Sequence, residues 1–437
     1  MRSAVPDAAV VGPEELLRGA AVRERIADAQ GALLFVCDPR VVPGDRLFAR
    51  MAEVVEQARA GIVFSDAVSQ PRIDYQPGSI RDDFDFGPVI GISVPAARAA
   101  LARAGATDGL RWGGLYDLRL KIAERDPIMR IPEPLYAIEP ASEAAAAAHF
   151  AYVDPRQQEY QAEMEAVATA HLRRIGAHLA PAFAAVPAAS ESFPVRASVV
   201  IPVRNRARTI AEAVASALAQ KAAFPFNVIV VDNHSSDGTG DVLRGIVDPR
   251  LVVLAPERRD LGIGGCWNLA LFSSACGRYA IQLDSDDIYA GDDVLGRLVE
   301  ALAAGPLAMV VGAYTLVDFS LAEIPPGLVA HREWTRENGR NNLLRVPGLG
   351  APRGYDVSVV RRIAFPNVSY GEDYAMGLRV SREFEIGRIF DSVYLCRRWE
   401  GNTDAALPRE TKNRYDHYKD WLRSAEIRAR QQRNGRS

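Results

Sequence analysis

The chain reads as an α/β protein built on a doubly wound sheet, preceded by a smaller α/β half-domain and a helical connector. Three observations carry that reading. From Ala197 onward, short apolar runs alternate with helix-forming segments at the spacing of βαβ units. The first run, Ala197-Ser198-Val199-Val200-Ile201-Pro202, is almost continuously apolar, as a parallel strand covered on both faces requires. Successive runs then end in polar groups: Val203-Arg204-Asn205, Asp232-Asn233 and Asp284-Ser285-Asp286. In such a sheet the strand ends converge on one crevice.

Bulk properties narrow the class. The 437 residues suffice for two domains, and 48% hydrophobic content excludes wholesale disorder. A net charge of −3 gives no general case for a nucleic-acid partner. The four cysteines, Cys37, Cys266, Cys276 and Cys396, lack metal-site spacing and read as reduced thiols of a cytoplasmic protein. No apolar run approaches the ~20 residues that span a bilayer, and Met1–Val11 lacks a signal-peptide layout. Membrane contact is expected to be peripheral at most.

In chain order, Leu16, Leu17, Ala20 and Ala21 have helical spacing, and Gly31 ends that pattern. Ala32–Cys37 reads as a buried strand running into Asp38-Pro39, followed by a helix from about Asp45 to Arg59 and a strand at Gly61–Asp66. A short helix through Ala96–Ala104, a helix opening near Trp112–Leu120, and extended pieces at Met129–Pro132 and Leu135-Tyr136 complete residues 1–140. Residues 141–193 form a connector, with an alanine run at Ala144–Ala148, a helix over Gln157–Leu179 and breaks at Pro181, Pro187 and Pro194. Residues 194–403 hold the main α/β domain. Its first helix carries Ile210, Ala213, Val214, Ala217 and Leu218 on one face, and Thr209-Ile210-Ala211-Glu212 has capping-box spacing. Strands at Val228–Val231, Leu251–Leu254 and Tyr279–Leu283 follow, the last entered from the glycine-containing loop Leu261–Gly265 and a helix through Trp267–Ser274. Residues 404–437 form a basic, helical tail that packs on the body, pairs subunits in a homodimer or touches an anionic membrane surface.

The three carboxylates of Asp284-Ser285-Asp286-Asp287 allow two readings. They hold a hard cation together with substrate phosphates, or they are an acidic turn capping a helix near Asp292. Asp232 suits a ribose hydroxyl or a base N–H, or it closes an Asx turn in Asn233–Gly238. A dinucleotide fold is disfavoured, because no G-x-G-x-x-G follows the first strand. A nucleotidyltransferase would need a Gly-rich loop that Pro202–Asn205 does not supply.

Ser198-Val199-Val200-Ile201-Pro202-Val203-Arg204-Asn205, Val231-Asp232-Asn233-His234-Ser235-Ser236-Asp237-Gly238-Thr239 and Leu283-Asp284-Ser285-Asp286-Asp287 occur in the order and spacing of family 2 glycosyltransferases. Residues 197–400 resemble that family. The resemblance implies the GT-A fold, a nucleoside-diphosphate sugar donor, inversion at the anomeric carbon and a DXD motif. It implies that Pro202, Val203 and Arg204 line the nucleoside pocket and that Asp232, beside Asn233, contacts the base. Asp284, with Ser285, would approach ribose or metal, and Asp286 would ligate Mn²⁺ or Mg²⁺. Gly371-Glu372-Asp373-Tyr374 is similar to the family's Glu-Asp motif, which implies Asp373 as catalytic base and Glu372 as an acceptor-positioning group. Trp267-Asn268 resembles an Arg-Asn pair with Trp in place of Arg. Where many relatives carry a metal-shell His, this chain has Trp399; the nearby Arg397 and Arg398 either bind the diphosphate or form a solvated basic turn. A catalytically silent sugar-nucleotide or glycan-binding protein is the alternative function. The acceptor, whether glycan, lipid or small molecule, is not legible.

Residues 32–136 echo residues 280–400. Strand–Asp38–helix–strand parallels strand–Asp284–helix–strand, and Tyr116-Asp117-Leu118-Arg119 falls near the place of Glu372-Asp373. The echo lacks paired carboxylates at Asp38-Pro39-Arg40 and leaves no room before it for the nucleotide-binding units. A truncated, non-catalytic GT-A-like half-domain is expected, with chance similarity between α/β segments as the alternative.

Overall fold

The computed structural model describes residues 9–105, 107–139, 157–189, 191–399, 402 and 407–435. The Ala144–Ala148 run and the ends of the expected tail, 404–406 and 436–437, lie outside them. The chain divides into two compact units. One comprises Met1–His178, Leu344–Val346 and Leu407–Ser437; the other comprises Leu179–Leu343 and Pro347–Ala406.

The first unit is built on strands β1 (Ala9–Val11), β2 (Leu33–Cys37), β3 (Val41–Pro43), β4 (Ile62–Ala67), β5 (Val89–Ser93) and β6 (Ile128–Ile138), in sheet order β1-β2-β5-β4-β6-β3. Alternate side chains of β2 enter opposite cores, as strand geometry dictates. Leu34 and Val36 pack with Val22, Ile26, Ala97, Ala100, Leu118 and Ile122 of three helices. Leu33, Phe35 and Cys37 pack with Leu47, Phe48 and Met51 of the helix Leu47–Ala58 on the other face. The two extended pieces expected at 129–136 are one strand, and β1 and β5 are additional to those expected.

The second unit contains β7 (Ala197–Val203), β8 (Phe226–Asp232), β9 (Leu251–Leu254), β10 (Tyr279–Gln282), β11 (Ile288–Tyr289), β12 (Leu307–Val317), β13 (Glu323–Val329), β14 (Arg353–Asp356) and β15 (Glu385–Arg397). Its sheet runs β11-β15-β12-β14-β10-β7-β8-β9, with β13 paired to β12. Strands β7 to β10 are mutually parallel, and β14 enters antiparallel between β10 and β12. The chain leaves β7 for β8 on one side and returns to β10 on the other. The order therefore reverses at β7, and a crevice opens outside the carboxyl ends of β7 and β10. Val199, Val200 and Ile201 are fully buried, so the continuous apolar run reflects a strand covered on both faces.

The two sheets repeat one plan. In each, a strand pairs antiparallel with a second, which pairs antiparallel with a third, which pairs parallel with a fourth, which pairs antiparallel with a short fifth. These are β2-β5-β4-β6-β3 and β10-β14-β12-β15-β11. Gly91 lies opposite Phe35 and Val63, as Gly354 lies opposite Ile281 and Val310. A Cβ at Gly91 would meet Val63 at 3.0 Å and Phe35 at 3.1 Å; one at Gly354 would meet Ile281 at 2.8 Å and Val310 at 3.0 Å. Strand β1 pairs parallel with β2 as β7 does with β10, so one strand more than expected fits ahead of the echo. Strands β8 and β9 have no counterpart in the first sheet.

Among the described residues no helix is long and apolar enough to cross a membrane. All four cysteines are unpaired.

Candidate active site

The loops that follow β7 and β8 are stitched together. Asn205 N–H donates to Ser235 Oγ (2.9 Å), Ser236 N–H to Asn205 Oδ1 (2.8 Å), Arg206 N–H to Thr239 Oγ1 (2.8 Å) and Ala207 N–H to Asp237 Oδ2 (3.0 Å). Asn205 and His234 both take the left-handed backbone region, which Asn tolerates better than most residues. At the head of these loops Val203 pairs with Asp232, with Pro202 half-buried and Arg204 exposed. Asp232 does close a turn: its Oδ1 accepts from Ser235 N–H at 3.0 Å. Asn233 is buried, donates to Leu261 O (2.8 Å) and leaves its Oδ1 without a hydrogen-bond partner among the described residues.

Beyond β10 the carboxylates are held from beneath. Gln282 Nε2 donates to both oxygens of Asp284 (2.9 and 3.0 Å), while its Oε1 accepts from Arg353 N–H (3.2 Å). Asp284 N–H donates to Tyr394 Oη (3.0 Å). Asp286 Oδ2 faces Trp399 Nε1 and Asn402 Nδ2, each at 3.3 Å, with Arg206 Nε at 3.7 Å. Asp287 is buried and accepts from Arg397 N–H at 2.7 Å. Burial pushes the Asp284 carboxyl up, against the pull of the Arg353 guanidinium. Burial, then the charges of Asp284 and Asp286, push Asp287 well above the usual carboxylate range. Ser285 is buried, and its carbonyl accepts from Thr209 Oγ1 at 2.8 Å.

Arg397 is fully buried. Its Nε donates to Asp286 O and its Nη1 to Glu212, and its Nη2 has no hydrogen-bond partner among the described residues. It is therefore not part of a solvated turn. Two further expectations are corrected here. Thr209 precedes the helix Ile210–Leu218 without capping it through its side chain, and Glu212 pairs with Arg397 rather than closing a capping box. The helix after the carboxylates starts at Val294, with no side-chain cap from Asp293, so Asp284–Asp287 do not cap it.

The Glu-Asp pair opens the helix Glu372–Glu383, after Gly371 at φ +82°. Asp373 pairs with the Arg353 guanidinium. Glu372 is buried, and burial, followed by the neighbouring Asp373 charge, pushes its carboxyl up to about 8. The preceding loop is pinned by glycines whose purpose the sequence did not reveal. A Cβ at Gly262 would lie 2.4 Å from Val368 C, and one at Gly264 would lie 1.9 Å from Pro366 O. Asn268 fixes the same loop through both its amide groups, donating to Phe365 O and accepting from Phe365 N–H, each at 2.8 Å. Trp267 stacks on Phe365 with 5.4 Å between ring centroids.

The structure thus gathers Asp284, Glu372 and Asp373 around Arg353, whose guanidinium these carboxylates, Asp373 foremost, hold above its ordinary range against the effect of burial; Asp286 faces Arg206. Arg353, Gln282 and Glu212 are site residues that motif spacing missed. Gln282 was the one visible signal, a polar residue facing inward in an apolar strand. In the first unit the helix Gly114–Ile122 begins with Gly and Leu. Asp117 lies three residues further on, buried against Lys121 and Thr107, and is no counterpart of the Glu-Asp pair.

Residues 198–365 match the model of Glycosyl transferase family 2. The succinoglycan biosynthesis protein ExoO of Rhizobium meliloti (strain 1021) is 39% identical over 106 residues, 24% of this chain and 30% of that protein. ExoA of the same organism, also a succinoglycan biosynthesis protein, is 31% identical over 205 residues, 42% of this chain and 57% of that protein. The chain therefore spans about a third to somewhat over half the length of these curated relatives. Among solved structures, S. aureus TarS 1-349 in complex with UDP-GlcNAc aligns at 23% identity and TM-score 0.42, covering 53% of this chain and 66% of that one. The matched stretch, 198–365, includes β7 to β10, the crevice at their carboxyl ends and the motifs at those strand ends.

Proposed function

We propose that the chain is an inverting glycosyltransferase that moves a sugar from a nucleoside diphosphate to an acceptor hydroxyl. The observation that carries this reading is the meeting of the β10 carboxylates with the Arg353–Asp373 pair at the point where strand order reverses. Asp232 and Asn233, with Pro202, Val203 and Arg204, form the nucleoside side, and the unpartnered Asn233 Oδ1 offers an acceptor to a base N–H. The buried Arg397, with Nη2 lacking a hydrogen-bond partner among the described residues, is suited to a diphosphate oxygen.

The carboxylates suit a divalent cation. Asp287 is buried and Asp284 and Asp286 are half-buried; burial first, and then the neighbouring carboxylate charges, push Asp284 and Asp287 up, a strain that a bound cation would relieve. Among the described residues no cluster of three or more His, Cys, Asp or Glu forms a complete protein-only site. Mg²⁺ or Mn²⁺ would instead be held by Asp286 and Asp284 together with substrate phosphates. Such an ion would neutralise charge on the departing nucleoside diphosphate. Trp399 cannot be a ligand, because an indole N–H only donates.

The Glu-Asp pair divides its roles by charge. Asp373, beside Arg353, takes the proton from the acceptor hydroxyl as that oxygen attacks the anomeric carbon and the diphosphate leaves. Glu372, pushed up to about 8, is neutral at pH 7 and donates a hydrogen bond to position the acceptor. Titration calorimetry of UDP, GDP, CDP and dTDP, each with Mn²⁺ and with chelator, tests the donor site. Metal-dependent binding of one nucleotide, with Asp373→Asn binding it normally but transferring nothing, is the expected result. Full turnover by Asp373→Asn overturns the base. Absence of binding to every nucleotide favours a silent glycan-binding protein.

A further inference from the structure

The shared plan of the two sheets lets positions be matched by register. With Gly91 set on Gly354, Phe35 falls on Ile281; counting on, Asp38 falls on Asp284 and Arg40 on Asp286. On the other strand, Tyr136 opposite Pro43 matches Tyr394 opposite Tyr289, both buried, and three residues on Glu139 falls on Arg397. The contact between these positions persists, since Glu139 N–H donates to Arg40 O (3.1 Å) where Arg397 Nε donates to Asp286 O. The charges are exchanged. A guanidinium stands where the second unit has a carboxylate, and a carboxylate stands where it has a guanidinium.

A cavity of about 370 Å³ lies at this place in the first unit, lined by Arg40, Gln70, Arg72, Asp85, Glu139 and Arg409, among others. That volume is within the range of small-molecule sites. Arg40 forms a two-bonded pair with Asp38 (3.0 and 2.8 Å), which orients it. Arg72 is 2% exposed, pairs with Asp85, and has an Nε without a hydrogen-bond partner among the described residues. Gly87, at φ +79°, keeps the wall open over it: a Cβ there would lie 2.7 Å from Arg72 Nε.

We propose that this cavity binds a saccharide bearing a carboxylate, without a metal ion. No nucleotide is expected there, because the β8 and β9 strands that supply Asp232 and Asn233 in the second unit have no counterpart. The exchanged Arg40, paired with Asp38 on one side and half exposed, presents its guanidinium to an anionic group where the second unit presents a carboxylate. Guanidinium, carboxylate and amide side chains together give ring hydroxyls both donors and acceptors.

The test uses the full chain, calorimetry in chelator, a glucuronate-containing hyaluronan tetrasaccharide and neutral cellotetraose. The expected result is saturable binding of the acidic probe and weaker binding of the neutral one. Arg40→Glu and Arg409→Glu, each checked by circular dichroism, should weaken acidic-probe binding about tenfold or more. Asp286→Asn should leave it unchanged, which separates this site from the proposed donor site. No saturable binding of the acidic probe overturns the proposal. Equal binding of the two probes, insensitivity to both arginine variants or loss in Asp286→Asn would do so as well.

Discussion

Replacing Arg353 with methionine keeps most of the side-chain volume and removes the cation that acts on Asp284, Glu372 and Asp373. The Arg353 side chain is 13% exposed and that of Asp373 27%. Removing one partner of a buried pair costs about 3–5 kcal/mol, because the remaining charge is left in a poor solvent. Partial access of water to Asp373 reduces this to about 2–4 kcal/mol. Urea unfolding at pH 7 should register that loss in Arg353→Met. Adding Asp373→Asn on that background should recover part of it, since the carboxylate that pairs directly with Arg353 is then gone. The pH dependence of sugar transfer should change too: with its counter-charge gone, Asp373 ionises at higher pH and the acid limb moves upward. If Arg353→Met leaves both the unfolding midpoint and the acid limb in place, the charge argument fails. Strict additivity of the two substitutions would equally show that the residues do not interact.

Glu372 gives a prediction of opposite sign. Its native pKa of about 8 lies above the ordinary 4.5, so the native state holds a proton that the unfolded chain has released. Stability should therefore fall as pH rises from about 4.5 to about 8, and Glu372→Gln should flatten that slope in a pH series of thermal melts. Transfer by the native chain should decline through about pH 8, and the Gln variant should lose that decline. Gly264→Ala would place a Cβ 1.9 Å from the Pro366 carbonyl oxygen, a clash with backbone, and 3.1 Å from Glu372 Cβ. A loss of about 1–3 kcal/mol in chemical unfolding, together with slower transfer, is expected; an unchanged midpoint would mean that the loop gives way freely. Asp286→Ala should weaken Mn²⁺-dependent nucleotide binding at least about tenfold while leaving binding in chelator alone. Trp399→His, which replaces a donor-only indole beside Asp286 with a possible ligand, should tighten binding in Mn²⁺, as calorimetry of the two variants would reveal.

The strand ends were legible because each motif is local: an apolar run, then a polar group, repeated at βαβ spacing. Asp232, Asp284 and Asp286 could be read that way, and the resemblance added Asp373. Arg353 could not. It lies on β14, an antiparallel strand inserted between β10 and β12, and only the pairing of Ile281 with Gly354 carries it to Asp284. Gly262 and Gly264 looked like a loop feature because nothing nearby in sequence reports the approach of Pro366–Ser369. The echo in residues 32–136 was visible as a rhythm of strands and acids. The equivalence of Asp117 with the Glu-Asp pair was misplaced, because the rhythm does not fix the helix start to within a turn.

Thr209 and Glu212 illustrate why local rules fail where a site is built. Their spacing satisfies a capping box, and in isolation that arrangement would stabilise the helix start by about 1 kcal/mol. Here Thr209 instead holds the Ser285 carbonyl, and Glu212 balances Arg397, a guanidinium buried to 1% exposure. An uncompensated buried cation would cost more than the lost cap. The helix start gives up the smaller term, and the larger one keeps Arg397 aimed between Asp286 and Glu212. A side chain that breaks a good local rule beside a buried charge is therefore evidence about the charge, and Glu212→Gln should affect nucleotide binding more than helix stability.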